Sequence, residues 1–597
     1  MIFTSLLKSM NAEWIKLPYF RKINGRKIHN FKCLKCGKIF KNHKYAPDHL
    51  LICRAKPRSQ SEITNFIQIE ENEEEDQNQD FSEFQRNLII LFIGSNMSIS
   101  QIGKSYFKNF LLSVGVEKEK IPSPYILRKN ITDFSKKVYD DTYSILKNKI
   151  VSLIVDGTTS WSNTYYEISV FAPGIIKHIK LVKIAIASAD CLKKTILFYI
   201  DKLGDMNISV VGICTDNGPN LKAACDKISS DFINGKCKIP LIRTSCTAHT
   251  AQLLLKDLYF SSSIFHQISD QTRQLVKWLR KSKIKKYYQK IKMNCPPMYS
   301  VIRWNSLYFC LQFVTENYDK IMSVIENFQN KKDDSNIELI PLIKYRETTR
   351  ALKYIHDFTC AVETNYSTIG DAFKQINILK NNLKTSIPSI TGIPEILNTQ
   401  IDYRFSNTYD IKLAELAYIL TDDGKKWLKK RKAKNDEIIT KISKFSDITE
   451  EESKFIQDFD DDIKSIYGKL SQLCIFMKLD EYNAVEAFKK YLLDEEPMYD
   501  DPLDYWKNHM GANYIKNAAV IPCKDICQIA IRLLVLPSSE ALCERVFSQL
   551  KYIHNSRRNS LKPDIIDSIM NIRFEMKMNG DDLSYGSDDD DDYDDNF

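Results

Sequence analysis

A chain of 597 residues, 43% apolar and 27% charged, is long enough for several cores and has the composition of an ordinary globular protein. Its net charge of +9 is unevenly spread: residues 1–60 carry 14 Lys and Arg against 2 Asp and Glu, whereas 588–595 is almost pure Asp. That segregation points to nucleic acid and away from a membrane partner, and no run approaches the roughly 18 apolar residues of a bilayer span. The N-terminus, MIFTSLLKSMNAEW, lacks an apolar secretory core. The 15 scattered cysteines fit reduced thiols plus a metal site better than a disulfide framework, so cytosol or nucleus is expected.

In residues 1–60, Cys33, Cys36, His49 and Cys53 have the spacing C-x2-C, twelve residues, then H-x3-C. Two thiolates from a tight knuckle and two ligands one helical turn apart suit a closed, structural tetrahedral zinc site. Trp14, Phe20, Phe31 and Phe40 supply a minimal core, and Lys35, Lys38, Lys41 and Lys44 surround the ligands as candidate contacts to DNA phosphates. Residues 61–80 are polar, then acidic, and read as a linker. Over 81–150 periodic apolar residues (Phe84, Leu88, Ile89, Phe92, Ile102, Phe107) return with Ser98 to Ser100 as a helix start, predicting a helical subdomain for DNA binding or dimerisation.

Val151 to Asp156, VSLIVD, is a mostly apolar run closing on a carboxylate, and ISVVGICTD does the same at Asp216. Two strand-end carboxylates suggest a site for a hard divalent cation such as magnesium or manganese, although Asp after a strand also serves as a turn former or cap. Strands are predicted at 151–156, 165–171, 179–187, 208–215 and 239–243, with helices at 191–204 and 219–229. A fourth strand lying beside the first would bring Asp156 and Asp216 together in a mixed sheet covered by helices.

Cys246 and His249 form a Cys-x2-His pair, read as structural or site-orienting with metal ligation as the alternative. Residues 271–292 hold nine Lys and Arg and no acid, with Trp278, Tyr287 and Tyr288 interspersed, which suggests a nucleic-acid track. Arg303 and Trp304 follow, a cation beside a ring suited to stacking on an unpaired base. Residues 310–500 are helix-like, either inserted or independent. Within them Lys425 to Lys434 is an import patch, a DNA-backbone contact or a solvated face. Pro537-Ser538-Ser539-Glu540 reads as a helix start with a serine cap. Glu544 on that helix has to be paired, metal-bound or on its polar side, and Arg545, Arg557 and Arg558 add phosphate-binding capacity. Residues 576–597 form an acidic tail expected to be disordered.

This set of residues, in this order, resembles the hAT superfamily of cut-and-paste DNA transposases, named after hobo, Activator and Tam3, and their domesticated zinc-finger relatives. The likeness runs over nearly the whole chain, with 310–500 matched only as generic helix. Cys33, Cys36, His49 and Cys53 with Trp14 and Phe31 resemble a BED-type finger. Asp156 in LIVDGTTSW, Asp216 in TDNGPN and Glu544 in PSSEALCERVFSQL match the catalytic triad; Cys246 and His249 in CTAHT match the Cys-x2-His motif; Trp304 in RWNS matches the base-stacking tryptophan. Cys543 stands where the family often has Ser. The resemblance implies an α/β, RNase H-like core, residues 151–309 and 501–575, interrupted by an all-helical insertion at 310–500. It further implies two magnesium (or manganese) ions on Asp156, Asp216 and Glu544, a structural zinc, and hairpin-forming cleavage of transposon ends followed by joining to target DNA. A homo-oligomer of at least two copies, nuclear location, and neither membrane nor small-molecule partner are expected. The competing readings are a domesticated DNA-binding regulator without catalysis and an RNase H-like nuclease acting on RNA.

Overall fold

The computed structural model of the chain describes residues 81–160, 163–298, 305–329, 339–407, 409–443, 449–495, 498, 501–516, 519–554 and 561–580, together with the backbone of short strands before residue 41. The chain divides into two units, Met1–Asp80 and Phe81–Phe597. In the first, β1 (Trp14–Ile23) and β2 (Arg26–Cys33) form an antiparallel pair, and β2 pairs in turn with β3 (Ile39–Phe40).

The second unit is built on a five-stranded mixed sheet: β4 (Ile150–Ser160), β5 (Asn163–Ala172), β6 (Ile175–Ile184), β7 (Ser209–Thr215) and β8 (Ile242–Ser245), in the order β6-β5-β4-β7-β8. The first three strands form an antiparallel meander, and β7 and β8 run parallel to β4. The first and fourth strands are therefore neighbours, as the sequence pattern predicts. β6 and β8 are displaced by a few residues from the predicted 179–187 and 239–243. The larger correction concerns β4, which does not end at Asp156 but runs on to Ser160. Its antiparallel pairing to β5 continues through Asp156↔Glu167 as far as Ser160↔Asn163, while the parallel pairing to β7 stops at Val155↔Thr215.

Period-two alternation sends the two sides of β4 into different cores. Val151, Leu153 and Val155 pack with Leu192, Ile196, Leu221 and Ile228 of the helices Ala189–Asp205 and Pro219–Ile233. Ile154 packs instead with Leu542, Val546 and Leu550 of the helix Ala541–Ile553, and with Ile566 and Met570 of the helix Pro563–Met578. The second core also takes in Leu88, Ile89 and Phe92 of the helix Glu83–Gly94 and Leu127 and Ile131 of the helix Pro124–Leu146. These helices start where local chemistry allows. Ser82 and Gln85 form a capping box, and Ser123 caps a helix whose first residue is Pro124. Arg573, fully buried, donates to the carbonyls of Ile93 (2.6 Å) and Gly94 (3.3 Å), closing the negative end of the first helix.

The helical extension shares one apolar core with the sheet's far edge. Ile242, Ala251 and Leu254 cluster with Ile355, Leu379, Leu416, Leu470, Phe488, Ile529 and Leu536, so 310–500 is continuous with the core and not an independent body. Among the described residues no helix is long and apolar enough to cross a membrane. The Lys425–Lys434 run is divided, with Lys426, Lys430, Lys432 and Lys434 exposed and the other cations engaged with neighbouring helices. Lys425 is buried over the Tyr491 ring, and Lys429 donates to the Asp494 carbonyl (2.7 Å). Arg431 pairs with Asp462 (2.9 Å), and Lys434 lies over Phe455.

Candidate active site

Asp156 follows the last parallel pair on β4 and Asp216 follows it on β7, so the two occupy matching positions on strands about 4.8 Å apart. The same alternation that sends Ile154 toward the Ala541–Ile553 helix sends Asp156 there too. On β7, Gly212 lies under Leu536: a Cβ at residue 212 would meet the Leu536 methyl and the Ser152 hydroxyl, so glycine lets the segment before that helix pack closely on the strand. Asp216 is further fixed from behind. Arg243 on β8 donates to the Asp216 carbonyl (2.7 Å), and Asn217 Oδ1 accepts from Ser245 (2.8 Å) and Arg243 (3.2 Å).

The segment that starts the Ala541–Ile553 helix is held on three sides. Thr247 N–H donates to the Ser538 carbonyl (2.9 Å), Ser538 N–H to Ser367 (3.0 Å), and Ile369 N–H to Leu536 (3.0 Å). Ser538 and Ser539 do not cap the helix as expected; their hydroxyls donate to the Val362 carbonyl (2.5 and 3.1 Å) and tie the segment to the helical extension. The N-cap position belongs to Glu540. Cys246, itself the N-cap of the helix Thr247–Ser261, accepts at Sγ from the N–H of His249 (3.3 Å) and of Glu540 (3.4 Å). The Cys-x2-His motif thus joins the core helix to the C-terminal motif through its sulfur.

Five carboxylates share this region. Burial, opposed by the Gly157 N–H bond (2.7 Å) and reinforced by Asp216 and Glu544, pushes Asp156 up to about 7. Burial, then Asp156 and Asp216, push Glu540 well above the usual carboxylate range. Glu544, one helical turn on, is exposed, which resolves how an acid sits on this helix. Glu363, at the end of the helix Leu342–Val362, is raised to about 7 by burial and by Glu544. Among the described residues, Asp216 Oδ1 and Glu540 Oε2 are buried with no hydrogen-bond partner. An all-oxygen donor set with orphaned oxygens suits a hard divalent cation. Yet among the described residues no three His, Cys, Asp or Glu side chains stand close enough to hold one as they are set. The acids share an electrostatic neighbourhood without forming a closed cage.

Other expected contacts have different surroundings. Arg545 donates to Asn365 Oδ1 (3.1 Å) and to the Glu363 carbonyl, so it braces the helical extension. Trp278 and Tyr288 are buried and Tyr287 is half-buried, with Trp278 and Tyr287 both edge-on to Phe328. They are core residues and not stacking platforms, while Lys281, Lys283, Lys285, Lys286 and Lys290 on the same stretch are exposed. Cys33 ends β2; Cys36, His49, Cys53, Lys35, Lys38, Lys41, Lys44, Arg303, Trp304, Arg557, Arg558 and the tail beyond Gly580 lie outside the described residues.

A second buried charge cluster has no counterpart among the sequence motifs. His178 on β6 bonds Glu167 on β5 (2.7 Å) and lies 3.4 Å from Asp567 of the C-terminal helix. Asp567 also accepts from Tyr139 (3.0 Å), Lys180 (2.9 Å) and the Leu181 N–H (2.8 Å). The only signal in sequence is polar residues at apolar positions of strand and helix.

No curated protein matches the chain. Among solved structures, the Drosophila P element transposase strand transfer complex is similar at 14% identity and a TM-score of 0.26, over 61% of this chain and 86% of that one. Residues 488–576, which carry Glu540, Glu544 and Asp567, match the hAT family C-terminal dimerisation region. The chain therefore contains a hAT-family transposase domain, in the form of that dimerisation region.

Proposed function

We propose that the protein is a DNA transposase of the hAT type that binds the ends of its element, cleaves them with hairpin formation on the flanking DNA, and joins the freed 3′ ends to target DNA. The observation that carries this reading is the pairing of β4 with β7, which sets Asp156 beside Asp216 under the helix bearing Glu544, within a chain that has a hAT dimerisation region. The strand order and the parallel β4-β7-β8 half support an RNase H-like core.

In this reading Asp156, Asp216 and Glu544 hold the divalent cations. Bound magnesium or manganese would activate the attacking water or 3′-hydroxyl and stabilise the leaving oxygen. β4 and β7 hold the two Asp rigidly, and Cys246 fixes the start of the helix that brings Glu544 over them. The exposed lysines of 281–290, with Arg303, Arg557 and Arg558, neutralise DNA phosphates, and Trp304 stacks on the flipped base. The Cys33, Cys36, His49 and Cys53 finger binds structural zinc and holds DNA through Lys35, Lys38, Lys41 and Lys44. Two copies associated through the dimerisation region pair the two element ends, and the site of action is the nucleus.

The test is cleavage of a labelled duplex carrying the element's own end, with magnesium, by the wild type and by Asp156→Ala. Nicking followed by a hairpinned flank, absent in the variant, is the expected result. End-specific binding without cleavage by either protein would replace this reading with that of a DNA-binding regulator.

A further inference from the structure

We infer that Glu540 is a fourth metal-binding carboxylate of this site, donating to a divalent cation together with Asp216. The inference rests on the transposase reading for the two aspartates and goes beyond it in the acid it adds. Glu540 lies one helical turn before Glu544, so both belong to the same side of the helix start. The two acids are placed in opposite ways. Glu544 is exposed, whereas Glu540 is 3% exposed, and its Oε2 has no hydrogen-bond partner among the described residues.

A carboxylate that deep, with one oxygen unmatched, costs several kcal/mol unless something completes it. The charges nearest it are acids: Asp156 and Asp216 act on it most, and Glu544 less. Among the described residues no Lys or Arg joins them. Asp216 carries a second orphaned oxygen, Oδ1, and Cys246 links the two segments: its N–H donates to the Thr215 carbonyl (3.0 Å) while its sulfur accepts from Glu540 N–H. Two unmatched carboxylate oxygens among mutually repelling acids fit a hard cation. Glu540 is also well anchored for the task. Its N–H is held on Cys246 Sγ, and the preceding serines are bonded to the Val362 carbonyl. Cys246 is thus a positioning residue for Glu540.

Isothermal titration of the full chain with Mn2+, alongside thermal melts with and without the ion, tests this. The wild type is compared with Glu540→Gln, Glu544→Gln and Asp156→Asn. Glu540→Gln keeps the side-chain shape and removes the charge; melts without cation establish that it folds. We expect its Mn2+ affinity to fall at least about tenfold, and the Mn2+-induced rise in Tm to shrink with it. Glu540→Asp, which withdraws the charge by one methylene, serves as a second variant and is expected to weaken Mn2+ as well. Wild-type affinity in both Glu540 variants, with affinity lost in Asp156→Asn, overturns the role of Glu540 and leaves the transposase reading standing. No Mn2+ binding by the wild type overturns both.

Discussion

Two groups of acids lie side by side, since Asp156 on β4 is paired across the strands with Glu167 on β5, and they are provided for in opposite ways. Around Asp567 each acid has a cation. His178 stands between Glu167 and Asp567, Lys180 adds a second positive charge, and a backbone N–H and a tyrosine hydroxyl complete the shell of Asp567, while Glu167 keeps one buried oxygen, Oε2, without a partner among the described residues. Despite burial, those bonds hold Asp567 down to about 2, and Glu167 and Asp567 overcome burial to lift His178 to about 9. Around Asp156 the neighbours are other acids, and Asp156 rises to about 7. The first group clamps the Pro124–Leu146 helix, the meander and the C-terminal helix together. The second spends stability to keep carboxylates available, as sites of ligand binding do.

The largest expected effect comes from breaking the paired group. Asp567→Ala leaves Lys180, Tyr139 and the Leu181 N–H without this acceptor and His178 with Glu167 alone, and should cost about 3–5 kcal/mol, read from the urea unfolding midpoint. A small loss would mean that water already fills the role of Asp567.

The pH dependence separates the two groups by sign. His178 is raised from 6.5 to about 9, so its stabilisation is complete below 6.5 and is lost as pH rises through about 9. Asp567 is lowered from 3.8 to about 2; its stabilisation is present above 3.8 and lost as pH falls through about 2. Thermal melts of the wild type should therefore decline across the alkaline window, and His178→Gln should flatten that decline.

The unpaired group should answer the other way. Asp156 is raised from 3.8 to about 7, so the wild type is penalised increasingly as pH rises from 3.8 through about 7. Asp156→Asn, without divalent cation, should stabilise by about 1 kcal/mol at neutral pH, with the difference vanishing below 3.8. Destabilisation instead would class Asp156 with the structural acids. The smallest effect is expected at Ser538→Ala, which removes the one hydroxyl donor that lies between the carbonyls of Val362 and Ser367 and should cost about 1 kcal/mol. Loss of Mn2+ affinity alongside would tie this staple to the placing of Glu540.

Strand alternation and the two apolar runs closing on Asp make the sheet and the Asp156–Asp216 pair legible in the sequence. Short connections between the first three strands leave the fourth one natural place, beside the first. Side-chain direction is less legible where long-range packing decides it. The basic run at Lys425–Lys434 meets Asp462, Tyr491 and Phe455 from other helices, and Trp278 and Tyr287 meet Phe328. A local pattern cannot reveal such partners. The serines before Glu540 fit a capping signature yet bond carbonyls 171 to 177 residues away in sequence.

The sequence by itself determined the order of strands, the helix starts set by neighbouring residues, and which carboxylates end apolar runs, because these follow from interactions within a few residues. Only the tertiary structure decided which acids are neutralised and which are left facing one another. His178 and Asp567 are 389 positions apart, and Cys246 and Glu540 are 294. A charge is satisfied or stranded according to what the whole fold brings against it.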